Sequence, residues 1–102
     1  MNLMSETKQI IENLGKSISD IEVLNVFGLN GALNIKTTNS EEIEKAIEKD
    51  MDISYDDGFG IQYIHGIILF KDGTWIERVE YDGAEWWEPH EPVTKEIALK
   101  WN

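Results

Sequence analysis

The sequence predicts an α+β domain in which an antiparallel sheet of about five strands packs with two helices. Asn-Gly and Asp-Gly pairs separate runs rich in β-branched and aromatic residues, and this pattern is the strongest short-range signal of a β-hairpin. Two other segments carry apolar residues at helical spacing behind residues that favour helix N-caps. These observations predict an N-terminal hairpin and a C-terminal three-stranded meander, each preceded by a helix.

Two segments have the spacing of amphipathic helices. The first is predicted over residues 6–14, with Ser5 as the N-cap and Gly15 as the stop. The second begins after Asn39 or Ser40 and is predicted to end near Asp50.

The N-terminal hairpin is predicted from residues 21–29 and 32–37, which flank Asn30-Gly31. A two-residue loop there places three residues of the first strand on one face with three of the second; they are Leu24, Val26 and Gly28 with Thr37, Ile35 and Leu33. Phe27 then points to the opposite face.

The meander is predicted with two-residue loops at both Asp72-Gly73 and Asp82-Gly83. Its central strand, within residues 61–70, is apolar on both faces, which is typical of the middle of a sheet. Pro89 and Pro92 are predicted to end the ladder because proline cannot donate a hydrogen bond. The predicted core face collects these side chains: Ile64, Ile68, Phe70, Trp75, Val79, Tyr81 and Trp86.

The same register places like charges opposite each other on the last two strands: Glu77 faces Glu88, and Glu80 faces Glu85. We expect solvent or a cationic partner to relieve this repulsion. Trp87 is predicted on the surface, stacked on Arg78 as a cation–π pair, with a second layer of core beneath a helix or loop as the alternative. The predicted partner-binding residues are therefore Glu77, Glu80, Asp82, Glu85, Trp87 and Glu88.

Charge restricts the kind of partner. The chain has 102 residues, read as one domain over residues 1–102, with 20 acidic and 9 basic residues and a formal net charge of −11. This charge repels phosphate backbones and anionic membranes, so the sequence favours a basic protein partner, with no direct nucleic-acid or membrane binding. Without cysteine, a disulfide or a thiolate metal site is excluded. No leader-like or membrane-length apolar run occurs, and a cytoplasmic location is expected.

Catalytic and metal-binding patterns are incomplete. His65 falls opposite Glu80 in the predicted register, but two ligands do not complete a metal site. Asp56-Asp57-Gly58 lacks the alternating acids and closing glutamate of a calcium loop. No serine has the context of an activated nucleophile. The sequence therefore predicts a protein that is not an enzyme and has no cofactor or metal.

Residues 75–87, WIERVEYDGAEWW, resemble a segment near the C-terminus of short uncharacterised proteins encoded by phages and prophages. The small size, the acidity and the lack of catalytic groups are similar to those of anti-CRISPR proteins and phage DNA mimics. The resemblance implies a phage- or mobile-element-encoded inhibitor, and it carries over no functional residue.

We therefore expect a non-enzymatic inhibitor whose acidic sheet blocks a basic, nucleic-acid-binding surface of a bacterial defence enzyme such as a CRISPR effector. Carboxylates at alternate strand positions lie about 6.6 to 7 Å apart, close to the phosphate spacing of a nucleic-acid strand. One alternative is an immunity protein against a basic toxin. Others are a small ligand-binding domain with a pocket around Tyr63, His65 and Trp87, and a homodimer formed through Trp87 and the open strand edge.

Overall fold

The computed structural model describes residues 2–55, 63–81, 84–90, 92 and 95–100. Its elements in chain order are helix α1 (Leu3–Asn13), strands β1 (Ile21–Gly28) and β2 (Leu33–Thr37), helix α2 (Ser40–Lys45), strands β3 (Ile64–Phe70), β4 (Trp75–Tyr81) and β5 (Ala84–His90), and helix α3 (Lys95–Lys100). A π-helical turn, Ala46–Asp50, continues α2.

The five strands form one antiparallel sheet in the order β2-β1-β3-β4-β5, which confirms the predicted α+β class. Strand β3 lies in the middle, as its apolar sequence predicts. Helices α1 and α2 cover one face, which we call the core face, with Leu3, Ile11 and Ile43 among its buried residues. Helix α3 covers part of the opposite face, which we call the open face, where Ala98 packs on Ile67.

The N-terminal hairpin has the predicted register, but the predicted two-residue loop was wrong, because a 3₁₀ turn, Leu29–Gly31, and Ala32 connect the two strands. Leu24 pairs with Thr37, Val26 with Ile35, and Gly28 with Leu33. Phe27 points to the open face, where its ring stacks on His65 with 5.4 Å between ring centroids. His65 therefore does not face Glu80 as predicted, because strand alternation places the two side chains on opposite faces of the sheet.

The turn between β3 and β4 contains three residues, Lys71–Gly73, and the prediction of a two-residue loop was wrong. The Phe70 N–H donates to the Thr74 carbonyl at 2.8 Å, and the Gly73 N–H donates to the Phe70 carbonyl at 2.9 Å. Gly73 has φ +92°, and the Asp72 carboxylate accepts a hydrogen bond from the Thr74 N–H at 3.0 Å. This is a type I turn closed by a bulged glycine.

The extra turn residue changes which side of β4 and β5 is buried. Ile68 pairs with Ile76 and Leu69 with Trp75, one residue away from the predicted register. Because a one-residue shift exchanges the two faces of a strand, Trp75 and Val79 lie on the open face instead of in the core. Their places on the core face are taken by Ile76, Arg78, Glu85 and Trp87, all buried.

The second Asp-Gly loop keeps its predicted length. Tyr81 pairs with Ala84, which leaves two residues between β4 and β5. The conformation of Asp82 and Gly83 lies outside the described residues, as does the loop around Asp56.

Two element boundaries differ from the sequence predictions. Helix α1 begins one turn earlier, since the Asn2 side chain, not Ser5, caps it and Leu3 is fully buried. Strand β5 continues to His90, and Pro89 pairs with Ile76 inside the ladder. A proline is compatible with this place because β5 is an edge strand and its missing N–H faces away from β4.

Replacing Gly73 with valine is expected to destabilise the domain by about 1–3 kcal/mol, because a β-branched residue is strained at positive φ. A Cβ atom at Gly73 would also lie 3.1 Å from the Pro92 Cβ. Gly73→Asn should cost less, since asparagine tolerates this conformation. Urea unfolding checks both, and a Gly73→Val midpoint equal to that of the wild type would contradict the turn described.

Candidate protein-binding surface

The six predicted partner-binding residues do not share one surface. Glu85 and Trp87 are buried, at 3 % and 4 % exposure, which contradicts their assignment to a contact surface. Asp82 lies outside the described residues. The other three, Glu77, Glu80 and Glu88, are accessible on the hairpin, but Glu80 lies on the core face of the sheet and the other two lie on the open face.

Arg78 is the centre of a buried polar network on the core face. Its guanidinium donates to Glu6 Oε1 at 2.5 Å and to the Tyr55 hydroxyl at 2.8 Å. The Tyr55 hydroxyl in turn donates to Glu6 at 2.7 Å. Glu85 Oε1 lies 3.3 Å from the guanidinium, so two carboxylates face one buried cation.

Aromatic rings complete the environment of Arg78. The guanidinium carbon lies 5.1 Å from the Trp87 ring and 5.4 Å from the Tyr55 ring, within the range of cation–π contacts. The predicted Arg78–Trp87 stack is therefore present, but inside the core. Trp87 Nε1 donates to the buried Thr7 hydroxyl at 2.9 Å, which ties β5 to α1. Burial lowers the pKa of Arg78, but Glu6 and the Tyr55 hydrogen bond raise it by more, and the guanidinium stays charged.

Glu85 also holds the backbone that leads into the central strand. Its two carboxylate oxygens accept the N–H groups of Tyr63 and Ile64 at 2.5 and 3.0 Å. An anion that accepts backbone N–H groups forms strong, charge-assisted hydrogen bonds. Glu85 therefore has a structural role, and this role accounts for a carboxylate at this position without an external partner.

Each of the two like-charge pairs has a basic side chain of the fold beside it. Glu85 turns inward to Arg78, whereas Glu80, directly opposite on the ladder, is exposed. Glu77 and Glu88 flank His90, whose Nε2 lies 3.0 Å from Glu77 Oε1 and 3.9 Å from Glu88 Oε2, at ion-pair distance but without hydrogen-bond geometry. The His90 ring also stacks on Trp75, with 4.4 Å between centroids. The Glu80–Glu85 repulsion therefore requires no basic partner, and His90 relieves the Glu77–Glu88 repulsion whenever its ring is protonated.

The open face of the β4–β5 hairpin presents aromatic side chains to solvent. Tyr81 is 76 % exposed and Trp86 is 39 % exposed, and they are the exposed large hydrophobic residues of the described chain. Trp86 pairs with the half-buried Val79, so the three side chains share one face. We call Val79, Tyr81 and Trp86 the aromatic patch. Glu88, exposed two residues after Trp86, and Glu77 border it on the same face.

The sequence prediction placed Trp86 in the core and Trp87 on the surface, which is the reverse of the structure, and it therefore missed the exposure of Trp86. The available signal was Asp72-Gly73, which also fits a three-residue turn, and that turn places Trp87 in the core and Trp86 on the open face. Ala98 of helix α3 packs in a buried cluster with Val23 and Leu69 of the sheet, and the described residues of that cluster do not include the aromatic patch.

A groove of about 430 Å³ lies between α1 and β5. Its apolar lining is Ile10 of α1 with Trp86 and Trp87 of β5, and its polar lining comes from α1 and its N-cap: Asn2, Ser5, Glu6, Gln9 and Asn13. Glu6 is already bound to Arg78 and Tyr55. The groove therefore has a lining that is part apolar and, apart from Glu6, uncharged.

No protein-family model, curated protein or solved structure matches this chain. Within the described residues, no group of three histidine or acidic side chains is placed to hold a metal ion. None of the helices described is both long and apolar enough to cross a membrane.

The buried Tyr55 hydroxyl makes the stability of the domain sensitive to alkaline pH. Burial raises the pKa of Tyr55, the hydrogen bond to Glu6 raises it further, and Arg78 opposes this by a smaller amount. Since the folded-state pKa lies above the unfolded value of 10.0, the contribution is complete below pH 10 and is lost as the pH rises through the folded-state pKa.

We expect the free energy of unfolding of the wild type to fall more steeply above about pH 10 than that of Tyr55→Phe. Denaturant unfolding at a series of alkaline pH values measures this difference. Tyr81→Phe is the matched control, because Tyr81 is exposed, and it should follow the wild-type profile. Identical slopes for wild type and Tyr55→Phe would contradict the buried network.

Proposed function

We propose that this protein is a non-enzymatic acidic binding protein whose β4–β5 hairpin occupies a basic surface of another protein. The observation that carries the proposal is the aromatic patch, which exposes Tyr81 and Trp86 beside Glu77 and Glu88 on a chain of net charge −11. Aromatic anchors supply much of the binding energy at protein interfaces, and surrounding charges supply steering and choice of partner.

The proposed partner is recognised by its chemistry: it has lysine or arginine side chains around an apolar depression. Tyrosine and tryptophan fill such a depression, and the tryptophan ring also attracts cations. Glu88 is exposed next to Trp86, where a cation of the partner reaches both side chains.

The finer expectation is an inhibitor from a phage or mobile element that blocks the nucleic-acid-binding surface of a bacterial defence enzyme. It rests on the acidity and on the resemblance of residues 75–87. The continuous carboxylate ladder that would imitate phosphate spacing is not formed by the described residues, because Glu85 is buried and Glu80 lies on the other face from Glu77. An immunity protein that neutralises a basic toxin is favoured by the same aromatic patch, since it needs no imitation of phosphate spacing.

The experiment is capture of partners by the immobilised full-length chain at low salt, followed by affinity measurement on the captured protein. The expected partner has a basic surface, and its association slows as salt screens the exposed charges. Competition by DNA or RNA identifies a nucleic-acid-binding surface, and its absence favours the immunity function.

Charge reversal at two positions distinguishes the effect of a carboxylate on the hairpin from the effect of the net charge of the chain. Glu88→Lys and Glu44→Lys make the same change in net charge, but Glu44 is exposed on α2, away from the hairpin. We expect Glu88→Lys to weaken binding much more than Glu44→Lys. Equal losses, or a partner without a basic surface, would contradict the proposal.

A further inference from the structure

Strand β5 is an open edge of the sheet. It is last in the strand order, and in the described residues its ladder partner is β4 alone. Pro89 lies inside that ladder opposite Ile76, so this pair is of the type that exchanges no hydrogen bonds. By alternation, the N–H groups of Glu85 and Trp87 and the carbonyls of Glu85, Trp87 and Pro89 point away from β4.

The groove between α1 and β5 borders this edge. Along the groove, α1 and its N-cap contribute residues from Asn2 to Asn13, a length of about 16 Å at 1.5 Å per residue. An extended chain rises about 3.4 Å per residue, so this length matches about five residues of a strand. Ile10 and Trp87 supply apolar lining, which suits every second side chain of such a strand.

We propose that an extended segment of the basic partner adds to β5 as a sixth, antiparallel or parallel strand, with alternate side chains in the groove. Main-chain hydrogen bonds to an exposed sheet edge give affinity in this mode of recognition, and pockets for alternate side chains give specificity. This inference rests on the proposed function, because it names the form in which the partner is bound.

The two faces of the added strand require different side chains. Those that point to the core face meet Ile10 and Trp87, and therefore are apolar. Those that point to the open face meet Trp86 and Glu88, and therefore are lysine or arginine. The recognised sequence is an alternation of apolar and basic residues.

Charge disfavours a second copy of this chain at the same edge. Each copy carries a net charge of −11 and exposes Glu88 on β5, so pairing of two β5 strands brings like charges together. The basic partner segment is therefore the occupant that charge favours.

The test uses the ¹⁵N-labelled full-length chain and a synthetic peptide in which lysine and valine alternate. We expect the Glu85 and Trp87 amides to shift in the NMR spectrum, and their exchange with deuterium to slow by about tenfold or more. N-methylation of every valine blocks donation along one edge of the peptide strand, and N-methylation of every lysine blocks the other edge, so one of these two peptides should give neither effect. No response of these two amides at millimolar peptide, or an undiminished response to both N-methylated peptides, would overturn strand addition.

A groove variant distinguishes this inference from the proposed function. Gln9→Trp fills the groove from its exposed wall and should abolish the amide protection, whereas Gln9→Ala should retain it. If the captured partner binds Gln9→Trp as tightly as wild type but is lost with Trp86→Ala, the aromatic patch is the binding surface and strand addition is wrong. If both variants bind the partner as wild type does, the proposed function fails as well.

Discussion

Replacing Glu85 with lysine is expected to unfold the domain or to leave it marginally stable. The Glu85 side chain is completely buried, lies 3.3 Å from Arg78 and accepts two backbone N–H groups. Removing one partner of a buried ion pair costs about 3–5 kcal/mol, and the new lysine adds a second cation beside Arg78. Domains of this size have about 5–15 kcal/mol of stability in total, so the loss is comparable to the whole.

Glu80→Lys is the matched control, because Glu80 lies directly opposite Glu85 on the ladder but is exposed. Its free energy of unfolding should change by less than about 1 kcal/mol. Circular dichroism and thermal melting compare the two variants. A folded Glu85→Lys protein with the same melting temperature as Glu80→Lys would show that the burial of Arg78 does not require Glu85. It would then favour the sequence-based prediction that both carboxylates bind a partner.

Replacing each of the two neighbouring tryptophans with alanine is expected to destabilise the domain to a different extent, because Trp87 is buried and Trp86 is exposed. Trp87→Ala should cost about 3–5 kcal/mol, because it leaves a cavity in the core and removes the ring beneath Arg78 and the donor to Thr7. Trp86→Ala should cost less than about 1 kcal/mol, since the Trp86 side chain is exposed on an edge strand. Urea unfolding measures both, and a larger loss for Trp86→Ala would contradict the register of β4 and β5.

Turn chemistry made much of the sheet predictable. Asn30-Gly31 and Asp82-Gly83 each imply a register, and the pairs Val26–Ile35 and Val79–Trp86 follow from them as observed. The apolar residues of β3 indicated a central strand because both of its faces had to be buried. These are local signals, readable from a few neighbouring residues.

Which face of the β4–β5 hairpin is buried was not predictable from such local signals. Asp-Gly also fits a three-residue turn with glycine at its last position, which is the geometry at Gly73. The apolar pattern of β4 favoured the wrong choice, because the face with Trp75 and Val79 is more apolar than the face with Arg78. An arginine is buried only when partners satisfy it, and those partners, Glu6 and Tyr55, are remote in sequence.

This difference changes the chemical basis of the functional hypothesis. The acidic residues of the hairpin were expected to need a basic partner to relieve their repulsion, but Arg78 and His90 face them within the fold. The proposal now depends on exposed aromatic area beside carboxylates. Trp86, instead of Trp87, is the expected contact residue. The expected binding surface is the open face of the β4–β5 hairpin, instead of a row of carboxylates along its strands.

The central claim is that Trp86 serves binding, whereas Trp87 serves stability. The most direct measurement is the affinity of the captured partner for Trp86→Ala, taken together with the melting temperature of the same variant. We predict a loss of about 2 kcal/mol or more in binding free energy, which is a factor of about 30, with a melting temperature close to that of the wild type. Unchanged affinity in a folded Trp86→Ala protein would contradict the claim.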